Sequence, residues 1–440
     1  MKVGVPIWWD APMPRFPPFP GGSVRADVAV IGAGFAGLSV AYYLLRRRPD
    51  SRVVVLEADH VGAGASGRNT GMLGPGVGQS LAALVHKFGP ATARALYQAT
   101  LQAVEDVYRL IETEQIDCDL ERTGQLILAR GSDGRRRLSA LAALMRQLRL
   151  PHETLDADAL RRVLRLSPTC PAALRLPTAV ILHPLRLAGL SARVTALGGT
   201  IYENARVCDL GRSKPVHLAI AAGGEVIAAD VVTATAGYTP ALGMLHGRLL
   251  PLYLQALATE PLSEQALRVI GWKGREGVLD SRRIFNYFRL TPDNVLVFGG
   301  GRPRYLGATC NTDEDAVRRA LDRLALELRR TFPAEAGLRI GLGWTGVIGY
   351  TLDGLPAIER VPDRPSVLHV VGWCGHGLAL ALAAGAWVTS ILCDGAVPQD
   401  LPWFRADPPR IPLEPLRRLC FRLSVEVMTL LDGDKGQPAI

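Results

Sequence analysis

Residues 26–37 read ADVAVIGAGFAG, and this stretch decides the fold. Residues 26–31 form an apolar run that indicates a buried strand, and residues 37–48 have helical composition with basic residues at the end. Between them Gly32, Gly34 and Gly37 spell G-x-G-x-x-G. In a strand–turn–helix context these glycines permit a tight turn, a close backbone approach to a pyrophosphate, and close packing of helix on strand. The stretch therefore predicts dinucleotide binding.

A second strand completes the βαβ unit. Pro49 and Asp50 end the helix, and residues 52–57 form an apolar, β-branched strand that closes on Glu57. Glu57 lies twenty positions after Gly37, where a carboxylate can accept hydrogen bonds from ribose hydroxyls. This arrangement favours FAD or NAD over NADP. The alternative is that the glycines belong to an unrelated turn.

Length, composition and charge set limits on the class of protein. A chain of 440 residues exceeds one ordinary core, so two intertwined domains are expected, and 48% hydrophobic with 21% charged residues is typical of a globular protein. The net charge is +9, but the arginines are scattered through helical segments such as 135–137 and 161–162. We therefore expect a generally basic surface and no nucleic-acid partner, while an anionic substrate or cofactor stays possible.

The ends of the chain and its cysteines bear on location. Seven cysteines, odd in number and without a CxxC pair, indicate reduced thiols, and the proline-rich residues 1–20 do not resemble a signal peptide. Residues 370–392 are the most apolar segment, but glycines and His376 interrupt them, so a buried helix is expected and no transmembrane segment. Residues 410–431 mix arginines with aliphatic residues and predict a surface helix docked on its own protein, in preference to a membrane anchor. The cytoplasm is the expected location.

Further motifs stand at both ends of the chain. GAGASGRNTG at 62–71 is by itself a flexible loop whose backbone could approach a planar ring, and GWTG at 343–346, YTLDGLP at 350–356 and GWCGHG at 372–377 follow far downstream. In this order the motifs resemble the D-amino-acid oxidase (glycine and sarcosine oxidase-like) family of FAD-dependent oxidoreductases. The likeness covers most of the chain, and it is closest to the branch of γ-glutamylputrescine oxidases and aminophosphonate oxidoreductases.

The resemblance implies a fold class and a division into domains. The expected fold is α/β (α+β overall), with a Rossmann-like FAD-binding domain and a discontinuous substrate domain. Alternating segments at 249–259 and 284–298 independently suggest an antiparallel sheet for the latter. The predicted ranges are 23–80, 180–244 and 341–397 for the FAD-binding domain, 81–179 and 245–340 for the substrate domain, 1–22 for the arm and 398–440 for the C-terminal tail.

The resemblance also implies which residues bind FAD. The Gly375-His376-Gly377 turn would open a helix aimed at the flavin ring, where N–H groups and the positive dipole end suit the negative charge of reduced flavin. His376 could equally be a core histidine, and support of this turn is favoured over proton transfer. The candidates are Gly32, Gly34, Phe35, Ala36, Gly37, Glu57, Ala58, Ser66, Gly67, Arg68, Asn69, Thr70, Val207, Ala236, Gly237, Gly372, Gly375, His376, Gly377 and Leu378.

Three positions depart from the sarcosine oxidase pattern. Ile348 stands where those enzymes carry the cysteine that tethers flavin, so noncovalent FAD is expected. Ala379 replaces the lysine that holds the substrate carboxylate, and Val297 replaces the lysine credited with oxygen activation. The acceptor is therefore open between O2 and another carrier, and the substrate is expected to be larger or differently anchored than sarcosine.

Substrate residues are sought on the predicted pocket strands. Tyr287, Arg289 and Arg302 could hold an anionic group by charge-assisted hydrogen bonds, with surface arginines as the alternative. Trp344 and Tyr253 could form an aromatic wall for an ammonium group, with core packing equally compatible. These residues, with His376, are the candidates for the reaction site, and no metal-like spacing is present.

The expected reaction is oxidation of a C–N bond in an amine or amino acid to an imine, by hydride transfer to flavin N5. One alternative is a biosynthetic flavoenzyme that oxidises a cyclic amine or imine of a larger metabolite. The other is a flavin-binding subunit without catalysis.

Overall fold

Two large β-sheets with helices around them organise the chain, and the computed structural model describes residues 1–305, 307, 313–397 and 400–433. The strands are β1 (Lys2–Val3), β2 (Ser23–Ile31), β3 (Val53–Leu56), β4 (Met72–Leu73), β5 (Gln125–Leu128), β6 (Glu153–Asp156), β7 (Ala172–Leu176), β8 (Val180–Ile181), β9 (Thr200–Tyr202), β10 (Val207–Leu210), β11 (Val216–Ile220), β12 (Glu225–Thr233), β13 (Leu249–Thr259), β14 (Gly277–Asp280), β15 (Asn286–Leu290), β16 (Leu296–Tyr305), β17 (Ile340–Thr351), β18 (Ala357–Val361) and β19 (Arg364–Val371). The α-helices are α1 (Phe35–Arg47), α2 (Leu81–Glu114), α3 (Gly134–Gln147), α4 (Ala157–Val163), α5 (Pro184–Leu187), α6 (Leu190–Ala196), α7 (Glu264–Ile270), α8 (Glu314–Thr331), α9 (Gly377–Asp394) and α10 (Glu414–Leu431). Short 3-10 helices lie at Ile7–Asp10, Ala65–Gly67, Ala236–Leu242 and Ala334–Ala336.

The first sheet has eight strands and contains the predicted βαβ unit. Its order is β10-β11-β12-β2-β3-β9, and β12 also pairs with β19, which carries β18. Strand β2 runs parallel to β3 and β12, with Ile31 opposite both Leu56 and Thr233. The carboxyl ends of the three strands therefore share one edge, the place where α/β sheets bind nucleotides.

Hydrophobic burial explains why these segments form the first sheet. All four residues of β3 are buried, as expected for a parallel strand covered on both faces. Helices α1 and α9 pack together, because Gly385 leaves room for Ser39 and because the Ser39 hydroxyl bonds the carbonyl of Leu382. Among the helices described, α9 is long and apolar enough by composition to cross a membrane, but 61% of it is buried inside the protein, as is usual for a core helix.

The second sheet has nine strands in the order β1-β17-β13-β16-β15-β14-β5-β7-β6, and most of its neighbouring strands are antiparallel. One face packs Phe288 and Phe298 against Leu321, Leu324 and Leu328 of α8. The opposite face is turned toward the first sheet and joins its hydrophobic core. This architecture confirms the predicted fold class.

The domain division stays a prediction, and one strand crosses it. Strand β17 lies in the range assigned to the FAD-binding domain, yet its hydrogen-bonded neighbours are β13 and β1 of the nine-stranded sheet. The sequence of β17 alternates large and small residues, and this pattern does not show with which strands it pairs. Between β8 and β9 the chain forms two short helices, α5 and α6.

A buried histidine makes the first sheet sensitive to acid. His369 on β19 is 2% exposed, its ring nitrogen lies 2.7 Å from the Thr233 hydroxyl, and burial lowers its pKa from 6.5 to about 4. The unfolded chain takes up this proton first as the pH falls. We expect the free energy of unfolding to decrease by up to about 1.4 kcal/mol per pH unit between about pH 6.5 and about pH 4.

Urea unfolding across that pH range measures the effect. His369→Asn keeps a neutral hydrogen-bonding side chain and should flatten the slope, while His246→Asn, at an exposed site, should leave the slope as it is. An equal slope in wild type and His369→Asn would contradict the assignment. His183, whose pKa burial also lowers to about 4, accounts for a residual slope.

Candidate active site

The glycine turn between β2 and α1 leaves no room for side chains. A Cβ atom added to Gly37 would lie 1.8 Å from the Gly32 carbonyl oxygen, and Gly32 itself has φ +104°. A Cβ on Gly32 would approach the Ala234 carbonyl oxygen to 2.7 Å. The backbone is therefore exposed at the start of α1, where N–H groups without intrahelical partners and the dipole favour an anion.

Glu57 links this turn to β3 and β10. Its carboxylate accepts hydrogen bonds from the N–H groups of Ala33 at 2.8 Å and Asp59 at 3.1 Å, and burial raises its pKa. The N–H of Ala205 donates to the Glu57 carbonyl at 2.7 Å, which brings the buried Val207 at the start of β10 to the same edge. Glu57 and Val207 thus lie where a nucleoside would follow the phosphates, beside the exposed Ala58.

The loop at 62–71 is attached to the glycine turn by its own polar groups. The Ser66 hydroxyl accepts a hydrogen bond from the Phe35 N–H at 2.9 Å. The Asn69 amide donates to the Ser66 carbonyl at 2.7 Å and accepts from the N–H of Gly71 at 2.8 Å, next to the buried Thr70. The loop is therefore a fixed surface and its serine lies at the start of α1.

Three tryptophan indoles hold successive carbonyl groups of this loop. Trp9 donates to the Gly67 carbonyl at 3.3 Å, Trp344 to the Arg68 carbonyl at 2.9 Å, and Trp8 to the Asn69 carbonyl at 2.7 Å. Trp8 and Trp9 belong to the arm, and Trp344 belongs to β17. The arm and the second sheet thus both fix the loop, and Trp344 is a positioning residue.

Arg68 completes the attachment of the loop. Its guanidinium lies 4.6 Å from the centre of the Trp9 ring and donates to the carbonyls of Ala63 at 2.8 Å and Thr345 at 3.1 Å. The side chain therefore serves the loop and β17 together. These contacts account for the position of the Arg68 side chain without a contact to substrate.

The segment after β12 brings the two sheets together. Ala236 has φ +45°, and a Cβ on Gly237 would lie 2.8 Å from the Ile348 carbonyl oxygen on β17. Ile348 is half-buried and offers no thiol. These two predicted cofactor residues lie at the junction between the sheets.

The Gly-His-Gly turn opens α9 as expected. Gly372, Cys374 and Gly375 have positive φ angles, and the His376 N–H donates to the Trp373 carbonyl at 2.9 Å. A Cβ on Gly375 would meet no atom within 4 Å, so the turn faces open space. Burial lowers the pKa of His376, which favours the neutral ring. Gly377 and Leu378 follow as the first residues of α9.

Two rows of side chains form a trough on the second sheet. The first row crosses neighbouring strands and consists of Trp344 on β17, Ala256 on β13, Gly299 on β16 and Tyr287 on β15. Because each residue is directly opposite the next, all four share the face turned toward the first sheet. The Tyr287 ring lies over Gly299, where an added Cβ would meet it at 2.3 Å. The parallel row is Leu342, Ala258, Val297 and Arg289.

Arg289 is a buried cation without a carboxylate partner. The residue is 1% exposed, and its Nε and Nη2 atoms have no hydrogen-bond partner among the described residues. Its guanidinium lies 5.3 Å from the centre of the Trp8 ring, and the His183 ring contacts Trp8 edge-on at 5.0 Å. Burial lowers the pKa of Arg289 to about 10, so the guanidinium is charged at neutral pH. A buried charge whose nitrogens lack acceptors is costly unless an anion joins it.

Two predicted substrate residues lie elsewhere. Arg302 pairs with Glu426 of α10 at 3.1 Å and lines a cavity between β16, α8 and α10. Tyr253 and Ala256 lie three residues apart on β13, whose pairing with β17 is uninterrupted here. Tyr253 therefore lies on the face opposite to Ala256 and its neighbour Trp344, and the predicted aromatic wall does not form. Sequence alternation alone could not reveal this, because the register of β13 against β17, which places Trp344 opposite Ala256, is set by the pairing of strands distant in sequence.

Sequence reasoning missed several residues of the site. The predicted site residues do not include Trp8, Trp9, His183, Ala256 or Gly299. A small residue in the centre of a strand, as at Gly299, is a usable signal of close approach. No signal in the sequence connects residues 8 and 289, because only the folded arm brings them together.

Comparison with known proteins identifies the family. Residues 27–391 match the family model described as FAD dependent oxidoreductase (DAO). The chain belongs to this family. It is similar to the γ-glutamylputrescine oxidoreductase of Escherichia coli, with 33% identity over 383 residues that span 84% of each chain. It is also similar to the sarcosine oxidase β subunit of Rhizobium meliloti, with 24% identity over 87% of this chain and 88% of the other.

Solved structures agree on the fold. The glycine oxidase of Geobacillus kaustophilus superimposes with a TM-score of 0.72 at 22% identity, over 87% of this chain and 99% of that one. The L-proline dehydrogenase of P. horikoshii gives a TM-score of 0.69 at 20% identity, over 87% and 96%. The predictions of an FAD-dependent oxidoreductase acting on an amine or amino acid, and of its family, are confirmed.

The residues of this family member fit FAD. The Gly32–Gly37 turn would expose its backbone to a pyrophosphate, Glu57 lies beside this turn where the ribose is predicted to bind, and the Gly375 turn faces open space. The contact of each individual residue with FAD stays a prediction. Among the described residues, no group of three or more His, Cys, Asp or Glu side chains could hold a metal ion.

Gly37→Ala tests the placement of the pyrophosphate. The new methyl group would overlap the Gly32 carbonyl, so we expect loss of most of the copurifying FAD, measured by absorbance of the released cofactor per protein. Gly341→Ala is the matched control, because its Cβ would meet only ordinary contacts of 3.7 Å or more. Full FAD content in folded Gly37→Ala would show that the phosphates bind elsewhere.

Proposed function

We propose that the protein oxidises the C–N bond of an amine or amino acid that carries an anionic group, and that Arg289 binds that group. The observation that carries this proposal is the buried guanidinium with two unpartnered nitrogens on the trough face. Tyr287 shares this face, and its hydroxyl makes no hydrogen bond with any described residue. A carboxylate or similar anion would supply the missing acceptor by charge-assisted hydrogen bonds.

The relatives and the surrounding side chains support this substrate class. Proteins named after γ-glutamylputrescine, sarcosine and glycine are all amine or amino-acid oxidoreductases. At Ala379, where the resemblance places a carboxylate-binding lysine, the side chain is a buried methyl group. Arg289 on β15 would therefore replace that lysine from a different element, which fits a differently anchored substrate.

The chain's own residues would position the substrate and exclude water. Bound FAD supplies the hydride acceptor. The small residues Ala256 and Gly299 leave space in the trough between Trp344 and Tyr287, and Arg289 at its margin fixes one end of the substrate. The amine must be neutral to release a hydride, and the imine product is hydrolysed by water. No strong base is needed, and burial favours a neutral His376.

Anaerobic reduction of the bound flavin by a panel of amines tests the proposal. Arg289→Gln removes the charge and keeps a polar side chain, so we expect the second-order rate of reduction by an anionic amine to fall about 10- to 100-fold, the value of one or two charge-assisted hydrogen bonds. Amines without an anionic group should react slowly with wild type and variant alike.

Arg302→Gln is the matched control, because Arg302 lies in the cavity beside α10. It should leave the reduction rate unchanged. An unaltered rate in Arg289→Gln, with FAD content equal to wild type, would overturn the role of Arg289. Failure of every amine to reduce the flavin would instead support the non-catalytic subunit, and reaction only with cyclic amines would support the biosynthetic alternative.

Noncovalent attachment of FAD is part of the proposal. Ile348 occupies the position of the tethering cysteine, and the Cys374 sulfur is engaged with the hydroxyl and N–H of Thr351 at 3.3 Å. Burial raises the pKa of Cys374 to about 11, which disfavours the nucleophilic thiolate. Cys310 lies outside the described residues.

Acid precipitation gives a direct measurement of attachment. We expect all the yellow colour in the supernatant and a colourless pellet. Flavin fluorescence that stays with the precipitated polypeptide would refute the noncovalent state, and a Cys374→Ala variant would then report whether this thiol is the point of attachment.

The cytoplasm, expected from the unpaired cysteines, is the proposed location of the protein.

We further propose that electrons pass to a carrier other than oxygen. The buried Val297, where the resemblance places the oxygen-activating lysine, brings no charge to the trough. Slow reoxidation of substrate-reduced flavin in air-saturated buffer and fast reoxidation by a dye acceptor would support this choice. Fast reoxidation by air would assign oxygen as the acceptor.

A further inference from the structure

Helix α10 packs on the protein by its polar side. Glu426 pairs with Arg302 at 3.1 Å, Glu414 accepts from the Tyr305 hydroxyl at 2.8 Å, and Asp432 just after the helix pairs with Arg137 and Arg283, each at 3.1 Å. The acidic groups Glu414, Glu426 and Asp432 are thus all bound to the body of the protein, and these contacts fix the orientation of the helix.

An aliphatic stripe on α10 is exposed to solvent. Leu416, Leu419, Leu423, Val427 and Leu430 are spaced by three or four residues and are 43%, 54%, 54%, 52% and 68% exposed. Spacing of this kind places all five side chains on one helical face. An ordinary surface helix buries such a face, so a contiguous exposed stripe marks an interaction surface.

Arginines without ion pairs lie beside this stripe, on α10 and in the adjoining cavity. Arg422 on α10 is exposed, and neither it nor Arg304 and Arg323 in the adjoining cavity forms an ion pair with any residue the structure describes. Arg319 lines the same cavity and lies 3.7 Å from Asp313. Since Glu414, Glu426 and Asp432 are bound to the protein, the charges beside the apolar stripe that have no partner among the described residues are positive.

We propose that α10 is a peripheral membrane-docking helix whose aliphatic stripe inserts into the surface of a bilayer containing anionic phospholipids. Leucine side chains gain free energy at the headgroup–acyl boundary, and each nearby arginine adds attraction to anionic lipid. A second copy of the chain fits less well, because symmetric pairing of the stripes would bring two positive margins together. Helix α10 also lies outside residues 27–391, so docking adds to the family's shared fold.

The orientation of α10 explains how docking leaves the enzyme intact. The helix stays held by Arg302, Arg137 and Arg283 while its outer face contacts lipid, so no unfolding is required. This contact is peripheral and does not cross the bilayer. The sequence-based expectation of a helix docked on its own protein is met by one face, and the other face is available for lipid.

Vesicle sedimentation with the FAD-loaded, full-length protein tests the proposal. We expect binding to vesicles of phosphatidylcholine mixed with phosphatidylglycerol, weak binding to pure phosphatidylcholine, and release by salt. Leu423→Asp should weaken partitioning about tenfold or more, and Arg422→Gln about fivefold on anionic vesicles only. Leu197→Asp, at an exposed leucine in the first sheet's domain, is the matched control and should bind like wild type.

Two outcomes would overturn the proposal. One is absence of binding to anionic vesicles, or binding that Leu423→Asp leaves unchanged while FAD content is normal. The other is a dimer by light scattering in the absence of vesicles that Leu423→Asp converts to a monomer, which would show that a second copy covers the stripe. Both readouts are independent of substrate turnover.

Discussion

Three indole N–H groups that bind the carbonyls of Gly67, Arg68 and Asn69 are the interaction on which the rest of the site depends. Consecutive carbonyls of an irregular loop have no ladder of their own, and each unsatisfied group would cost free energy on burial. The donors come from the arm and from β17, while Ser66 in the same loop bonds the start of α1. This one loop therefore fixes the positions of both sheets and of the arm relative to the glycine turn.

The second constraint is the buried charge of Arg289. A guanidinium that is nearly fully buried, with two nitrogens that find no acceptor in the described part of the chain, is destabilising in isolation, and contact with the Trp8 ring offsets only part of that cost. Such a cost is typically retained at sites where a ligand supplies the missing partner. The same tryptophan thus holds the loop carbonyl of Asn69 and covers the candidate anchor for the substrate.

Helix α10 illustrates how ion pairs can decide which face of an amphipathic helix is buried. Arg302 binds Glu426, and Arg137 and Arg283 each bind Asp432. Held in this way, the helix buries Val425 and Thr429 and leaves Leu419 and Leu423 exposed. A lipid surface with negative charge complements this arrangement in both its apolar and its electrostatic part.

The sequence by itself determined the nucleotide-binding half, because its signals are local. Gly32, Gly34, Gly37 and Glu57 lie within one βαβ unit, where chain geometry fixes which groups meet, and the motifs at both ends indicated the family. The antiparallel pairing of β13 with β17, the position of Tyr287 on the same face as Trp344, and the separate position of Arg302 were decided only by tertiary structure. Register, bulges and the docking of the arm depend on contacts between residues tens to hundreds of positions apart, and no local pattern records those contacts.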